Sequence, residues 1–195
     1  MPGRTTLGVH HIELKPDTKP IRCAPYHLNQ EKAKVLKDEL DNLLDQGIIE
    51  ESTSPWASPI VMVPKADGTL RLCTDFRKVN NCTVPDPFPL PRIEDLIDHV
   101  GKAKYLTKLD MTRGYWQVPL DDPSVPISAF VTPFGHFQWR YMPFGLRNAP
   151  ASFSRLVSKL LLGLDAFAAR SRQATVPAPH DSIFTGLILL LTTDQ

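Results

Sequence analysis

Cysteine is scarce: the chain of 195 residues has three, Cys23, Cys73 and Cys82. Their number and scatter exclude a disulfide scaffold and a four-ligand zinc site. Long apolar runs are missing as well. The longest, Leu187-Ile188-Leu189-Leu190-Leu191, is far short of the roughly 18 residues that a membrane span needs. The N-terminal residues lack the apolar core of a signal peptide. Neither charge sign is in excess: 22 basic and 21 acidic residues leave a net of +1, so no global charge calls for a polyanion or an anionic membrane. No internal repeat is found. These absences point to a soluble, cytoplasmic protein without a membrane partner.

What the chain has in quantity is proline, 19 residues, about twice the average usage of roughly 5%. The prolines are spread along the chain except for two long gaps, 26–54 and 92–118. They punctuate an irregular fold and leave room for regular structure in the gaps. Charge is also unevenly placed. Residues 31–51 hold seven acids against three bases, whereas 123–164 hold Arg140, Arg147, Arg155 and Lys159 and no acid. The second stretch is either a solvated face or a surface for a polyanion.

Residues 1–26 are polar and proline-broken, an extended arm. From Glu31 to Gly47, the spacing of Leu36, Leu40, Leu43 and Leu44 predicts a helix with a glycine stop. Ile60–Val63 and Leu70–Thr74 flank Asp67-Gly68, a hairpin with a mobile, charged tip. Val84–Pro91 must be extended, because each residue before a proline is pushed out of the helical region. A helix is expected from Ile93 to Gly101, then a short strand over Tyr105–Leu109 that ends at Asp110. Phe130–Thr132 and Phe137–Trp139 form a second hairpin. Pro150 suits the first position of a helix whose Phe153, Leu156, Val157, Leu160, Leu161 and Leu164 share one face. Strands and helices mix without strict alternation, so the fold class is α+β.

Asp110 is the first candidate for chemistry. A carboxylate at a strand end is either a cap or a metal ligand. Gly114 beside Tyr115 and Trp116 is either a turn glycine or a point where a ligand approaches the backbone. Lys65 and Arg71, on the first hairpin, are either surface charges or a grip on phosphates. Met142-Pro143-Phe144-Gly145-Leu146 is either a buried corner or the wall of a pocket.

Together the segments carry a resemblance. They are Gln46 to Glu50 with Ser52 to Pro59, Asp75 to Asn80, Pro87 to Ile93, Leu109 to Val118, Ala129 to Pro133, and Met142 to Phe153. In this order and at this spacing the chain resembles the reverse transcriptase region of gypsy-type LTR retrotransposon polyproteins, over roughly residues 10–165. The resemblance implies an incomplete right-hand polymerase, with fingers over about 27–83 and 119–147 and a partial palm over about 84–118 and 148–165. It implies template-directed nucleotidyl transfer with two Mg²⁺ ions, a template–primer of RNA or DNA, and dNTP as substrate. Asp110 would be a metal ligand, with the Met111 carbonyl nearby. Lys65 and Arg71 would hold the triphosphate. Tyr115 would exclude a ribose 2′-OH, and Gly114, Phe144 and Gly145 would line the nucleotide pocket. Arg77 would touch the template, and the acid-free stretch 123–164 would help face the nucleic-acid backbone.

The sequence also departs from the family. A Tyr-x-Asp-Asp hairpin should follow the helix that ends near Leu164, and none does; beyond Asp165 the tail has only the isolated Asp181 and Asp194. Several carboxylates are needed to bridge two metals. The sequence therefore predicts a fragment without polymerase activity of its own, or a non-catalytic binding module made from fingers and palm. The tail 166–195 is expected to be poorly ordered and to lack the strands that complete the palm sheet.

Overall fold

Asn29 closes the proline-broken N-terminal segment and opens the first helix: its side chain accepts a hydrogen bond from the Lys32 amide, one of the donors that a helix start leaves unpaired. A computed structural model describes residues 3–64, 68–89, 107–111, 113–160 and 186–189. Helix α1 runs over Gln30–Asp45 and buries Leu36, Leu40 and Leu43, the stripe that the leucine spacing predicts. Gly47 then takes a φ of +62°, where a side chain would strain the turn. The chain next enters a five-stranded sheet built from β1 (Ile49–Glu51), β2 (Ser58–Pro64), β3 (Leu70–Thr74), β5 (Phe130–Thr132) and β6 (Gly135–Trp139).

The sheet order is β1-β6-β5-β2-β3. Antiparallel pairing joins β2 to β3, β5 to β6 and β1 to β6, so both hairpins read from the sequence are present. A short parallel contact, Ser58 with Phe130 and Pro59 with Val131, joins the two hairpins. Pro59 lies at the start of β2, where a missing N–H is tolerated, and its carbonyl accepts from the Asp75 amide at 2.8 Å. The sheet buries Ile49, Ile60, Met62, Phe130, Phe137 and Trp139. Phe130 contacts Phe137 and Trp139 at centroid distances of 5.8 and 5.5 Å. The Trp139 indole N–H donates to Thr74 Oγ1 at 3.2 Å, which satisfies the polar edge of a buried ring.

Two short elements have no forecast in the sequence pattern: strand β1 and helix α2 (Arg77–Cys82), which buries Val79 alone. Helix α3 covers Ala149–Leu160 and buries Phe153, Leu156 and Val157. Pro150 is its second residue rather than its first, still within the turn where no N–H bond is lost. Leu160, expected on the same apolar face, is exposed at the end of the helix; Leu161 and Leu164 lie outside the described residues, as do Lys65 and the helix expected over 93–101.

The N-terminal arm is extended and tied down along its length. The His10 amide donates to the Pro119 carbonyl, the Asp121 amide returns a bond to the His10 carbonyl, the Lys15 amide donates to the Cys82 carbonyl and the Val84 amide to the Glu13 carbonyl. Further on, the Cys23 amide donates to Ala57 and the Ala57 amide to Ile21. The Ile12 side chain is buried, and its amide donates to Ser124 Oγ at 2.7 Å. His10 is 1% exposed, and its Nδ1 bonds to Ser152 Oγ at 2.7 Å. Burial pulls the His10 pKa down to about 4, against the opposing pull of Asp121 and Asp86 and with help from His11. His11 Nδ1 lies 2.6 Å from Asp121. Burial acts to raise the Asp121 pKa, but contacts with Ser124 and His11 outweigh it and hold the carboxyl below its ordinary range.

A separate two-stranded sheet pairs β4 (Thr107–Asp110) with β7 (Gly186–Leu189), Asp110 standing opposite Gly186. This corrects the expectation that the tail is without strands: Gly186–Leu189, in the apolar run near the end of the chain, pairs with β4. The rest of the tail lies outside the described residues.

Candidate functional site

Asp110 is the last residue of β4, and the chain turns sharply after it. Arg113 sits in the left-handed region at a φ of +52°, and Gly114–Gln117 form a 3₁₀ turn. Arg113 is held in place by a bond to Gln46 Oε1 at 3.0 Å and by stacking over Trp116 at 5.1 Å. A left-handed non-glycine residue costs of order 1 kcal/mol, so these two contacts fix a turn that local preference would not choose.

The turn presents Tyr115 to the Met142–Leu146 corner. Tyr115 is 8% exposed and stacks on Phe144 with ring centroids 4.7 Å apart and planes 21° from parallel. Phe153 of α3 supports the same ring from 5.2 Å. Gly114 makes room for this arrangement: a Cβ there would lie 3.1 Å from the Phe153 ring. On that side, then, the glycine accommodates the protein's own aromatic rather than a ligand. Gly145 has a φ of +96°, and a Cβ on it would meet the Thr74 carbonyl at 3.4 Å. Three of the residues singled out for one pocket, Tyr115, Phe144 and Gly145, are thus brought together by two stretches of chain.

Arg77 stands apart from them at the start of α2. Its guanidinium forks onto Asp75, Nε to Oδ1 at 2.9 Å and a terminal nitrogen to Oδ2 at 2.7 Å, and the Tyr26 hydroxyl donates to Oδ2 at 3.3 Å. Bonds from Arg77 dominate the environment of Asp75, hold its carboxyl below the ordinary range, and raise the Arg77 pKa in turn. The Arg77 side chain is 83% exposed, so the pair stabilises the fold little. Its effect is to aim a cation outward in one orientation. Arg71 lies in β3 opposite Val63, beside Cys73. Burial raises the Cys73 thiol pKa against the counter-pull of Arg71.

In the acid-free stretch 123–164, two of the four cations are paired with acids and two bond to backbone carbonyls. Arg140 pairs with Glu50 at 2.9 Å, and Arg155 contacts both oxygens of Asp86 at 2.9 Å. Lys159 donates to the Leu7 carbonyl, and Arg147 to the Asn80 carbonyl. The neutralising acids come from distant parts of the sequence, which a count along the chain cannot register.

A two-metal site needs several converging carboxylates. Among the described residues, no three His, Cys, Asp or Glu side chains converge as a metal-holding group. The strand opposite Asp110 reads Gly186-Leu187-Ile188-Leu189 and brings no carboxylate.

Two residues of the site have no forecast in the sequence pattern. Phe153 reads there as one member of an apolar helix face. Asn80 lies within the Asp75–Asn80 motif, but its side-chain amide bonds to the Gly145 carbonyl and the Arg147 amide, each at 2.8 Å. A partner 65 residues away leaves no trace in local spacing.

The chain is similar to known proteins over most of its length. Residues 63–176 match the family described as reverse transcriptase (RNA-dependent DNA polymerase), a match that continues past Asp165. The chain is 37% identical over 161 residues to the retrovirus-related Pol polyprotein from transposon 297 of Drosophila melanogaster, covering 80% of this chain and 15% of that protein. It is 36% identical over 155 residues to the corresponding polyprotein from transposon opus, also of Drosophila melanogaster, covering 76% and 16%. It is 32% identical over 160 residues to the enzymatic polyprotein of figwort mosaic virus, covering 80% and 24%. The chain thus spans only 15% to 24% of the length of these relatives. Among solved structures, the foamy viral protease–reverse transcriptase in complex with an RNA/DNA hybrid superposes with a TM-score of 0.77 at 27% identity, covering 87% of this chain and 23% of that one. The same protein in complex with dsDNA gives 0.76 at 28% identity, covering 87% and 35%. The ordered motifs, the mixed fold with its Tyr115–Phe144 corner, and these matches agree: the chain belongs to the reverse transcriptase (RNA-dependent DNA polymerase) family.

Proposed function

We propose that the chain is the template- and nucleotide-holding part of an RNA-directed DNA polymerase of the LTR-retrotransposon Pol type. It binds a template–primer and dNTP but does not complete nucleotidyl transfer by itself. The observation that carries this reading is the Tyr115–Phe144 stack, set by the sharp turn that follows the Asp110 strand. A rigid aromatic wall at the sugar discriminates by excluding a hydroxyl. The solved relatives support the nucleic-acid partner, since they are complexes with an RNA/DNA hybrid and with dsDNA. In this reading residues 27–83 and 119–147 act as fingers, and 84–118 and 148–165 as part of the palm. Lys65 and Arg71 hold the triphosphate, Arg77 touches the template, and Gly114, Tyr115, Phe144 and Gly145 line the pocket. Asp110 and the Met111 carbonyl hold one Mg²⁺, which would polarise a phosphate oxygen when bound. The chain works in the cytoplasm.

The test is a titration of primer–template duplex at rising salt. Binding should weaken with salt, and Arg77→Ala should lower the slope by about one counterion. No binding at low salt overturns the proposal. Primer extension assays with Mg²⁺ or Mn²⁺ should show no product; template-dependent extension would show that the active site is complete.

A further inference from the structure

The Asn80 side chain fastens the pocket corner to α2. Asn80, in the last turn of α2, spans the corner with its amide: the nitrogen donates to the Gly145 carbonyl at 2.8 Å and the oxygen accepts from the Arg147 amide at 2.8 Å. The Arg147 guanidinium adds a bond to the Asn80 carbonyl at 3.3 Å. Residues 145 and 147 flank the buried Leu146, so the amide acts as a short β-bridge across the turn. On the side facing β3, Gly145 rests close to the Thr74 carbonyl and the Phe76 ring. Phe144 directly precedes the clamped residue, and its ring carries Tyr115. With Gly145 at a φ of +96°, the turn has a backbone that is free to swing unless something holds it.

We infer that Asn80 is a positioning residue for sugar discrimination: by locking the Gly145–Arg147 turn, it prevents the Phe144–Tyr115 stack from yielding to a ribose 2′-hydroxyl. The inference rests on the reading of Tyr115 as the wall beside the sugar. An aromatic wall excludes one extra oxygen only if it cannot retreat by a fraction of its own thickness. Phe144 and Phe153 both pack against the Tyr115 ring. Phe144 is only as firm as the turn beneath it. The same helix begins with Arg77, so the clamp lies one turn from the residue proposed to touch the template.

The experiment measures nucleotide binding and needs no turnover. The full chain is bound to a primer–template whose primer ends in a dideoxynucleotide, and dATP and ATP opposite a template thymine are titrated separately. Wild type should bind dATP more tightly than ATP. Asn80→Ala should reduce that preference about five- to tenfold, the equivalent of one or two hydrogen bonds, with primer–template affinity little changed. Asn80→Asp keeps the acceptor for Arg147 and loses the donor to Gly145; it should reduce the preference in part, and serves if the alanine variant does not fold. Arg147→Ala removes the guanidinium bond but keeps both amide contacts, and should leave the preference intact. A merely structural role would weaken both nucleotides equally. An unchanged dATP-to-ATP ratio in Asn80→Ala or Asn80→Asp overturns the inference alone. Equal binding of the two nucleotides by wild type overturns it together with the assignment of Tyr115.

Discussion

His10 is a base held neutral by its surroundings, and this sets a pH dependence. Its pKa in the folded chain is about 4, below the ordinary value near 6.5, so the unfolded chain binds the extra proton first as pH falls. The stabilisation is complete above about pH 6.5 and is lost progressively toward pH 4, roughly 2 kcal/mol of it by pH 5. Urea unfolding at pH 7 and pH 5 should show that loss in wild type and a flatter profile in His10→Gln. The groups that face the ring, Asp121, His11 and Asp86, remain in the variant. Gly114 gives a second prediction at this scale. Alanine there places a methyl group 3.1 Å from the Phe153 ring, and overpacking of this kind costs about 1–3 kcal/mol. The Tm should fall in Gly114→Ala and recover in part when Phe153→Leu is added, the coupling expected of residues in contact.

Among the elements, a guanidinium ties the proline run to α3, beside the Asn148 bonds to Val84 and Asp86 at the helix start. Arg155 grips both oxygens of Asp86 and lies over the Phe88 ring at 4.7 Å. Arg155→Ala should lower stability by about 1 kcal/mol or somewhat more in urea titrations. Arg155→Lys should recover less than half, because an ammonium does not stack over the Phe88 ring as a guanidinium does. How far these elements can be read from sequence follows from their periodicity. Helices α1 and α3 are legible because leucine and phenylalanine repeat at three and four. Strand β1 is three residues long, Ile49-Glu50-Glu51, too short for an alternation to register. Helix α2 buries Val79 alone and so has no apolar stripe. The site divides the same way. Asp110, Tyr115, Phe144 and Arg77 stand out because ordered motifs mark them. The Asn80 clamp and the acids that neutralise Arg140 and Arg155 are tertiary pairings across 65 residues or more.

At the scale of the molecule, the arm behaves as part of the body. Its bonds reach Pro119, Cys82 and Ala57, and Ile12 adds to the core. Hydrogen exchange should therefore find the amides of His10, Lys15 and Cys23 protected to a degree approaching the sheet, while a loose arm would exchange at once. These same bonds order events in time. The His10–Ser152 bond joins residues 142 apart in the chain, and Lys159 reaches Leu7 across 152. The arm therefore has its seat on α3, which is made after it. Closing loops of that length is slow, so during synthesis the arm waits undocked, with Ile12 in water, until α3 emerges.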